Sequence, residues 1–339
     1  MTRSVLAFLD VQSPEVRALI QSIAPPDIDI RMATTGDLAE QTALAADAEF
    51  VVGGITKLPS EVINAAPKLR LIHKWGIGVD KIDLEAARAR GVPVVITAGA
   101  NARPVADHAL LLMLATVKHL NSAQAKARAG LWWEARGDAR TQNLQMQGKL
   151  VGLVGLGNIG RQVTKRLHGF DAEVCYYDVR RLSPDEEASV GVMFRELDDL
   201  VASADIISLH LPYLPSTRHI LSRERLGRMK RGAIVVNTAR GELIDEQALA
   251  DALRSGHLGG AGIDVFHDEP PGLDNPLFAP DLPNLVLTPH VAGSTFDNVE
   301  NVASHIFGNV RRVLNGEPLP AADIVVPPGP MLAKPITAT

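Results

Sequence analysis

The sequence holds a single cysteine, Cys175, in 339 residues. No internal disulfide can form, and a reducing, cytoplasmic setting is the expected one. Long apolar runs are missing too. The longest, residues 109–117, falls well short of the ~20 residues a membrane span needs, so it is read as a buried helix. No basic stripe is present: 34 Lys and Arg are interspersed with 39 Asp and Glu for a net charge of -5, and nucleic acid is not an expected partner. Residues 1–10 lack the ordered charged, apolar and cleavage regions of a signal peptide and read as a strand. There is no G-x-S-x-G elbow of a serine hydrolase. There is no H-E-x-x-H or paired-cysteine pattern, so no metal site is expected. The phosphate loop G-x-x-x-x-G-K-[S/T] is absent as well.

What is present is an ordinary globular composition, 46% hydrophobic and 22% charged, long enough for two domains. Short apolar runs at Val5–Leu9, Phe50–Val52, Leu69–His73 and Val92–Ile96 predict strands. Helical patterns lie between them at Pro14–Ile23, Ser60–Ala66 and Asp83–Arg90. This alternation predicts βαβ units around a parallel sheet. A long helix is predicted from Arg103–Pro104 to about Ala129, followed by a polar stretch, Asp138–Gln147. A second series of strands follows: Leu150–Val154, Glu173–Tyr177, Asp205–Leu209, Ala233–Val236, Gly259–Ile263 and Leu285–Leu287. Val299, Val302, Ile306, Val310 and Val313 recur at spacings of three and four in a last helix.

The sharpest local signal follows the first strand of the second series. Gly155, Gly157 and Gly160 form a G-x-G-x-x-G with Leu156, Asn158 and Ile159 between them, opening a helix over Asn158–His168. The first glycine permits the tight turn, the second a close phosphate approach, and the third close packing of helix on strand. The N–H groups freed at the helix start attract phosphate oxygens. The next strand ends in Asp178, where an acid meets the adenosine ribose of a dinucleotide. A carboxylate there accepts the 2′- and 3′-hydroxyls and repels a 2′-phosphate, so NAD is expected over NADP. Arg180 and Arg181 follow directly and weigh against that preference.

Three segments at the ends of late strands supply further chemistry: residues 237–243, 261–270 and 287–293. They bring Arg240, Asp264, Glu269 and His290. Oxidising an alcohol by hydride loss needs a base for the hydroxyl proton, a fixed cation for the carbonyl and carboxylate, and a group that orients the base. His290 suits the first role. Arg240 suits the second, with a planar fork that holds two oxygens. Glu269 suits the third, because a carboxylate beside the ring stabilises its imidazolium form.

On these motifs the sequence resembles the D-isomer-specific 2-hydroxyacid dehydrogenases, which include phosphoglycerate, glyoxylate/hydroxypyruvate and D-lactate enzymes. The resemblance spans residues 5–314 and includes His210-Leu-Pro212 with Thr217. It implies that an NAD-dependent enzyme interconverts a D-2-hydroxy acid and its 2-keto acid, with Arg240, Glu269 and His290 as the catalytic set. It further implies that Leu211, Pro212, Thr217, Thr238, Ala239, Gly293 and His290 line the cofactor, and that Asp264 binds its carboxamide. It also implies the layout: two doubly wound parallel-sheet α/β domains. A Rossmann cofactor domain, 104–291, is inserted into a flavodoxin-like substrate domain of 1–103 plus 292–326. Separately from the resemblance, the prolines and small residues from Pro327 onward predict a flexible tail at 327–339. Homodimers built on the cofactor domains are expected, with the active site in a cleft.

On the substrate side, Trp75-Gly-Ile-Gly-Val79 resembles the family's carboxylate loop. Gly76 belongs to it, and the N–H groups of Ile77, Gly78 and Val79 are candidates for an anion nest. Lys74 either meets a distal anion or is simply solvated, and Arg103 is a second substrate candidate. The segment 105–108 has Asp107 where relatives carry glutamate, and no catalytic role is given to it. Trp132 and Trp133 either reach a neighbouring subunit or, as the preferred reading, pack in a core. Two rivals stand beside the dehydrogenase: an NAD(H)-sensing corepressor-like binding protein on the same fold, and an enzyme with formate or phosphite as donor.

Overall fold

The computed structural model describes residues 3–329. The chain opens with β1 (Ser4–Phe8), α1 (Pro14–Ser22), β2 (Ile28–Met32), α2 (Leu38–Ala46), β3 (Phe50–Gly53), α3 (Ser60–Asn64), β4 (Leu71–Lys74), α4 (Leu84–Ala89) and β5 (Val94–Val95). Three helices follow: α5 (Ala102–Val117), α6 (Leu120–Arg128) and α7 (Trp132–Gln142). The second alternating series is β6 (Leu150–Val154), α8 (Asn158–His168), β7 (Glu173–Tyr177), α9 (Pro184–Val190), β8 (Met193–Phe194), α10 (Leu197–Ser203) and β9 (Ile206–Leu209). It continues with α11 (Arg223–Arg228), β10 (Ile234–Asn237), α12 (Glu246–Arg254), β11 (Gly260–Ile263) and β12 (Leu285–Leu287). The chain closes with α13 (Val299–Asn315) and β13 (Ile324–Val326).

The described residues fall into two compact units: Ala102–Ser294, and the two segments that flank it. The flanking unit carries a six-stranded sheet in the order β13-β5-β4-β3-β1-β2. Its strands β1 to β5 run parallel, and β13 pairs antiparallel with β5. The parallel part has the doubly wound flavodoxin order. One of its cores joins α13 to the sheet, with Val302, Ile306 and Val310 against Leu6, Phe8 and Phe50.

The unit Ala102–Ser294 carries a seven-stranded parallel sheet in the order β12-β11-β10-β9-β6-β7-β8. The chain winds outward from β6 to β8 and then returns to lay β9 on the other side of β6. That reversal leaves a crevice beyond the carboxyl ends of β6 and β9, where such sheets take their ligands. Helix α5 covers the other half of the sheet. A Cβ on Gly262 of β11 would stand 2.7 Å from Leu112 Cβ, so only glycine lets this helix lie directly on the strand.

Three sequence expectations change. The long helix to Ala129 is broken: His119 takes a left-handed φ of 49°, which ends α5 and starts α6 in a new direction. The start of the polar stretch at 138–147 belongs to α7. The strands β2, β8 and β13 were not anticipated, because two- to five-residue segments on sheet edges carry little periodic signal. Of the expected tail, residues 330–339 lie outside the described residues. Gly329, just after β13, donates its N–H to Gly91 O at 2.9 Å.

Candidate functional site

The glycine loop lies at the end of β6, beside β9, at the point where the sheet order reverses. Gly155 has φ +98°, and a Cβ there would stand 2.4 Å from His210 O, so the turn is closed to any side chain. Gly160 is equally tight against Gly155 O. Gly157 differs: a Cβ would meet nothing within 4 Å. Its missing side chain therefore serves open space, the room a phosphate needs. Gly157 also caps α8 with no side-chain acceptor, whereas α1, α2 and α4 are capped by Ser13, Asp37 and Asp83. The first N–H groups of α8 are left to a ligand or water. Leu156 is buried, while Asn158 is exposed and Ile159 half-buried on the first turn of α8.

Asp178 follows β7, the strand next to β6. Its Oδ2 accepts from Leu156 N at 2.8 Å and its Oδ1 from Arg180 N at 3.1 Å. The acid is thus pinned to the glycine loop with acceptor capacity to spare. Arg181 lies 4.6 Å over the Phe194 ring and pairs with Glu187, while Arg180 reaches toward Glu186 at 3.7 Å. After β9, His210 Nε2 contacts Ser208 Oγ at 2.9 Å, and burial pushes this histidine down to about 3, so its ring is neutral. The loop beyond it, with Leu211 and Pro212, is held by Thr217, whose hydroxyl bonds Pro212 O at 3.0 Å.

Strands β10, β11 and β12 are neighbours and parallel, so their carboxyl ends present Arg240, Asp264 and His290 along one edge. After β10, Asn237 shapes the loop: its side chain donates to Arg240 O at 2.8 Å and accepts from Ala239 N at 3.0 Å. Arg240 is half-buried and donates to Ala239 O at 2.6 Å. A Cβ on Gly241 would lie 2.0 Å from Phe266 C. That contact of backbone on backbone sets the Arg240 loop against the segment leading to Glu269. Thr238 is buried, and its Oγ1 has no hydrogen-bond partner among the described residues, a group left for a ligand to satisfy.

Glu269 contacts His290 directly, with Oε2 at 2.8 Å and Oε1 at 2.9 Å from Nδ1. The His290 side chain is 46% exposed, and a carboxylate on Nδ1 fixes the other nitrogen, Nε2, as the one offered outward. An apolar hollow of about 430 Å³ adjoins the pair, lined by Phe266, Pro270, Phe278 and Pro289 among others. Asp264 is fully buried beneath the turn that bears His290, and Gly293 ends that turn.

In the flanking unit, Lys74 closes β4 and is only 7% exposed, so the solvated reading of this lysine is set aside. Its stem crosses Gly54, where a Cβ would stand 3.0 Å from Lys74 Cδ. Gly76 has φ +110° and exchanges bonds with Thr97: its N–H donates to Thr97 Oγ1 at 3.0 Å, and its carbonyl accepts from Thr97 N at 3.0 Å. The N–H groups of Ile77, Gly78 and Val79 follow in the same loop, with Ile77 exposed. Arg103, assigned by sequence to the flanking domain, lies in the first turn of α5 in the unit Ala102–Ser294.

Two readings are resolved nearby. Asp107 pairs with Arg166 of α8, a structural contact. Trp132 and Trp133 are 58% and 78% exposed, which overturns core packing for both. Sequence reasoning passed over His108 and Thr288, whose side chains meet at 2.9 Å. Both lay inside quoted segments, 105–108 and 287–293, but nothing in either segment points to the other. Among the described residues no group of three or more His, Cys, Asp or Glu is placed to hold a metal ion, and no helix is long and apolar enough to cross a membrane.

Comparisons with known proteins give the family. Residues 110–292 match the family model for the D-isomer specific 2-hydroxyacid dehydrogenase, NAD binding domain. D-3-phosphoglycerate dehydrogenase of Mycobacterium leprae is 40% identical over 87% of this chain and 54% of its own length. The chain thus spans little more than half of that longer relative. Glyoxylate reductase of Thermofilum pendens is 38% identical over 78% of both chains. Among solved structures, the NAD-dependent formate dehydrogenase from Staphylococcus aureus in complex with NAD superposes with a TM-score of 0.82. It has 25% identity and covers 96% of this chain and 100% of its own. The chain belongs to the D-isomer specific 2-hydroxyacid dehydrogenase family, with its NAD binding domain in the unit Ala102–Ser294.

Proposed function

We propose that the chain interconverts a D-2-hydroxy acid and its 2-keto acid with NAD(H). The observation that carries the reading is the Glu269–His290 contact at 2.8 Å, in a sheet whose β6 carries the dinucleotide loop at the same, carboxyl end of the strands. The residues around that loop suit the cofactor. Gly157 leaves room for the diphosphate, Asp178 retains acceptor sites for the ribose, and Thr238 has an unsatisfied buried hydroxyl. Leu156, Asn158, Ile159, Leu211, Pro212, Thr217, Ala239 and Gly293 complete the lining. When bound, NAD(H) supplies the hydride acceptor or donor. The protein's own residues do the rest.

His290, oriented through Nδ1 by Glu269, takes the C2 hydroxyl proton on Nε2 in oxidation and returns it in reduction. Arg240 holds the C2 oxygen and one carboxylate oxygen with its two-pronged guanidinium and stabilises charge on the carbonyl as it polarises. The loop 76–79 receives the substrate carboxylate on its backbone N–H groups. Lys74 and Arg103 are the cations assigned to the far end of the substrate. The expected compartment is the cytoplasm.

The test is a screen of the full chain with NADH and NADPH against glyoxylate, hydroxypyruvate, phosphohydroxypyruvate, pyruvate and bulkier keto acids. Reduction of at least one acid with NADH preferred is the expected outcome. Tight NADH binding with no turnover on any acid would replace this reading with that of an NAD(H)-sensing binding protein.

The same reading includes a homodimer. Leu120, Leu131, Trp132 and Trp133 are exposed apolar side chains on the α6–α7 excursion, an area that a second copy of the chain would cover. Light scattering should give twice the chain mass for the wild type. The double variant Trp132→Ala, Trp133→Ala should shift it toward the monomer, and an unchanged mass would remove this surface from the interface.

A further inference from the structure

A buried carboxylate is costly unless donors fill its acceptor sites. Asp264 is fully buried; its hydrogen-bond donors come from one short turn, and His108 Nε2 of α5 lies 3.5 Å from its Oδ1. Its Oδ1 accepts the Thr288 hydroxyl at 2.6 Å and Val291 N–H at 2.9 Å. Its Oδ2 accepts Ala292 N–H at 3.0 Å. Its backbone carbonyl accepts His290 N–H at 2.7 Å. One aspartate therefore ties down residues 288, 290, 291 and 292. His290, in their midst, has φ +52°, a left-handed conformation that a non-glycine residue keeps only where its surroundings impose it.

Proton counting extends the chain of contacts by one residue. Thr288 has a single hydroxyl proton, and the acceptor-only Asp264 carboxylate takes it. The other partner of that hydroxyl oxygen is His108 Nε2, at 2.9 Å. His108 must therefore donate, which fixes its Nε2–H form. His108 sits in the middle of α5, a helix packed on β10 and β11. A continuous line of bonds thus runs from a rigid helix through His108, Thr288 and Asp264 to the turn that aims His290.

We propose that His108, Thr288 and Asp264 are positioning residues for His290. They hold its turn in the left-handed form, so that Nδ1 stays on Glu269 and Nε2 points at the substrate oxygen. The proposal rests on the catalytic reading of His290 given above. Proton transfer tolerates little displacement of the acid–base group, so slackening this support should reduce turnover more than binding.

The variants are Thr288→Val, which keeps shape and removes the hydroxyl, and His108→Leu, with His108→Gln retaining an N–H at the end of the side chain. Three quantities are read on the full chain. They are the 15N imidazole resonances of His290 (assigned by their loss in His290→Gln), kcat and KM for the best keto acid, and the Kd for NADH. Thr288→Val and His108→Leu should move the His290 resonances and lower kcat about tenfold or more, with NADH affinity within about twofold. His108→Gln should stay close to wild type in all three. Unmoved His290 resonances in both damaging variants would overturn the proposal, whether NADH affinity falls or not. Should the wild type reduce no keto acid, the catalytic reading fails, and the resonances still decide whether this line of contacts holds the His290 turn.

Discussion

At the residue scale, the Glu269–His290 pair is where chemistry and geometry meet. His290→Gln keeps a polar side chain of similar reach but cannot take up and release the proton that Nε2 exchanges with the substrate. A kcat loss of roughly 10²–10⁴-fold is expected, with NADH affinity nearly unchanged. Steady-state rates and NADH titration check this, and an unaltered kcat would take His290 out of the proton transfer. Arg240, Glu269 and His290, the set proposed for catalysis, could be singled out because each follows a strand in a segment rich in glycine or proline. Strand ends in an open α/β sheet are where ligands bind. His108 was not legible. Its partner, Thr288, is 180 positions away, and only the packing of α5 on the sheet brings them together. Lys74 was undecidable for a related reason: whether a lysine at a strand end is solvated depends on what covers it, here the glycine at position 54.

At the element scale, strong periodicity translated well and short edges did not. Helix α8 begins and ends where its apolar spacing and glycine loop say, because Gly157 opens it and the pattern runs unbroken to His168. Helix α5 shows the opposite case. The sequence was read as one helix running on to Ala129, but His119 adopts φ +49° and splits α5 from α6, a choice that propensity does not signal. The strand β13 is shorter still, three residues, yet Val326 is 1% exposed and packs with Val92 and Val94 in one core of the flanking unit. Trimming it to alanine removes two buried carbons. At about 0.8 kcal/mol for each, with a cavity left behind, Val326→Ala should cost about 2 kcal/mol. Urea denaturation reads this directly. A loss below about 0.5 kcal/mol would mean that β13 adds nothing to the sheet.

At the scale of the whole molecule, buried histidines tie stability to pH: His210, held down to about 3, and His73. His73 is fully buried: its Nδ1 meets Lys74 O at 3.0 Å and its Nε2 faces Asn309 Nδ2 at 3.1 Å. Asn309 also donates to Asp323 Oδ2, which His305 Nε2 approaches at 2.7 Å from the other side. Burial, with His305 nearby, pushes His73 down to about 4, while Lys74 O and Asp323 pull in the opposite direction. The unfolded chain takes up a proton on this residue below about pH 6.5, and the folded chain does so only near pH 4. Stability from His73 is therefore complete above about pH 6.5 and drains away as the pH falls toward 4. Between pH 7 and pH 5 the loss from His73 alone should be about 2 kcal/mol. His73→Gln should reduce that slope by its own share and leave the part due to His210, as measured by unfolding midpoints across the range; an equal slope in the variant would clear His73 of responsibility. The same cluster has a consequence for synthesis. Asn309, Asp323, the apolar face of α13 and the closing strand all leave the ribosome after the unit Ala102–Ser294 has been made. Strands β1 to β5 are made first but must wait, with His73 unanswered and one face of their sheet bare, until residues 299–326 have been made. The middle of the chain is thus free to complete its fold before the beginning does.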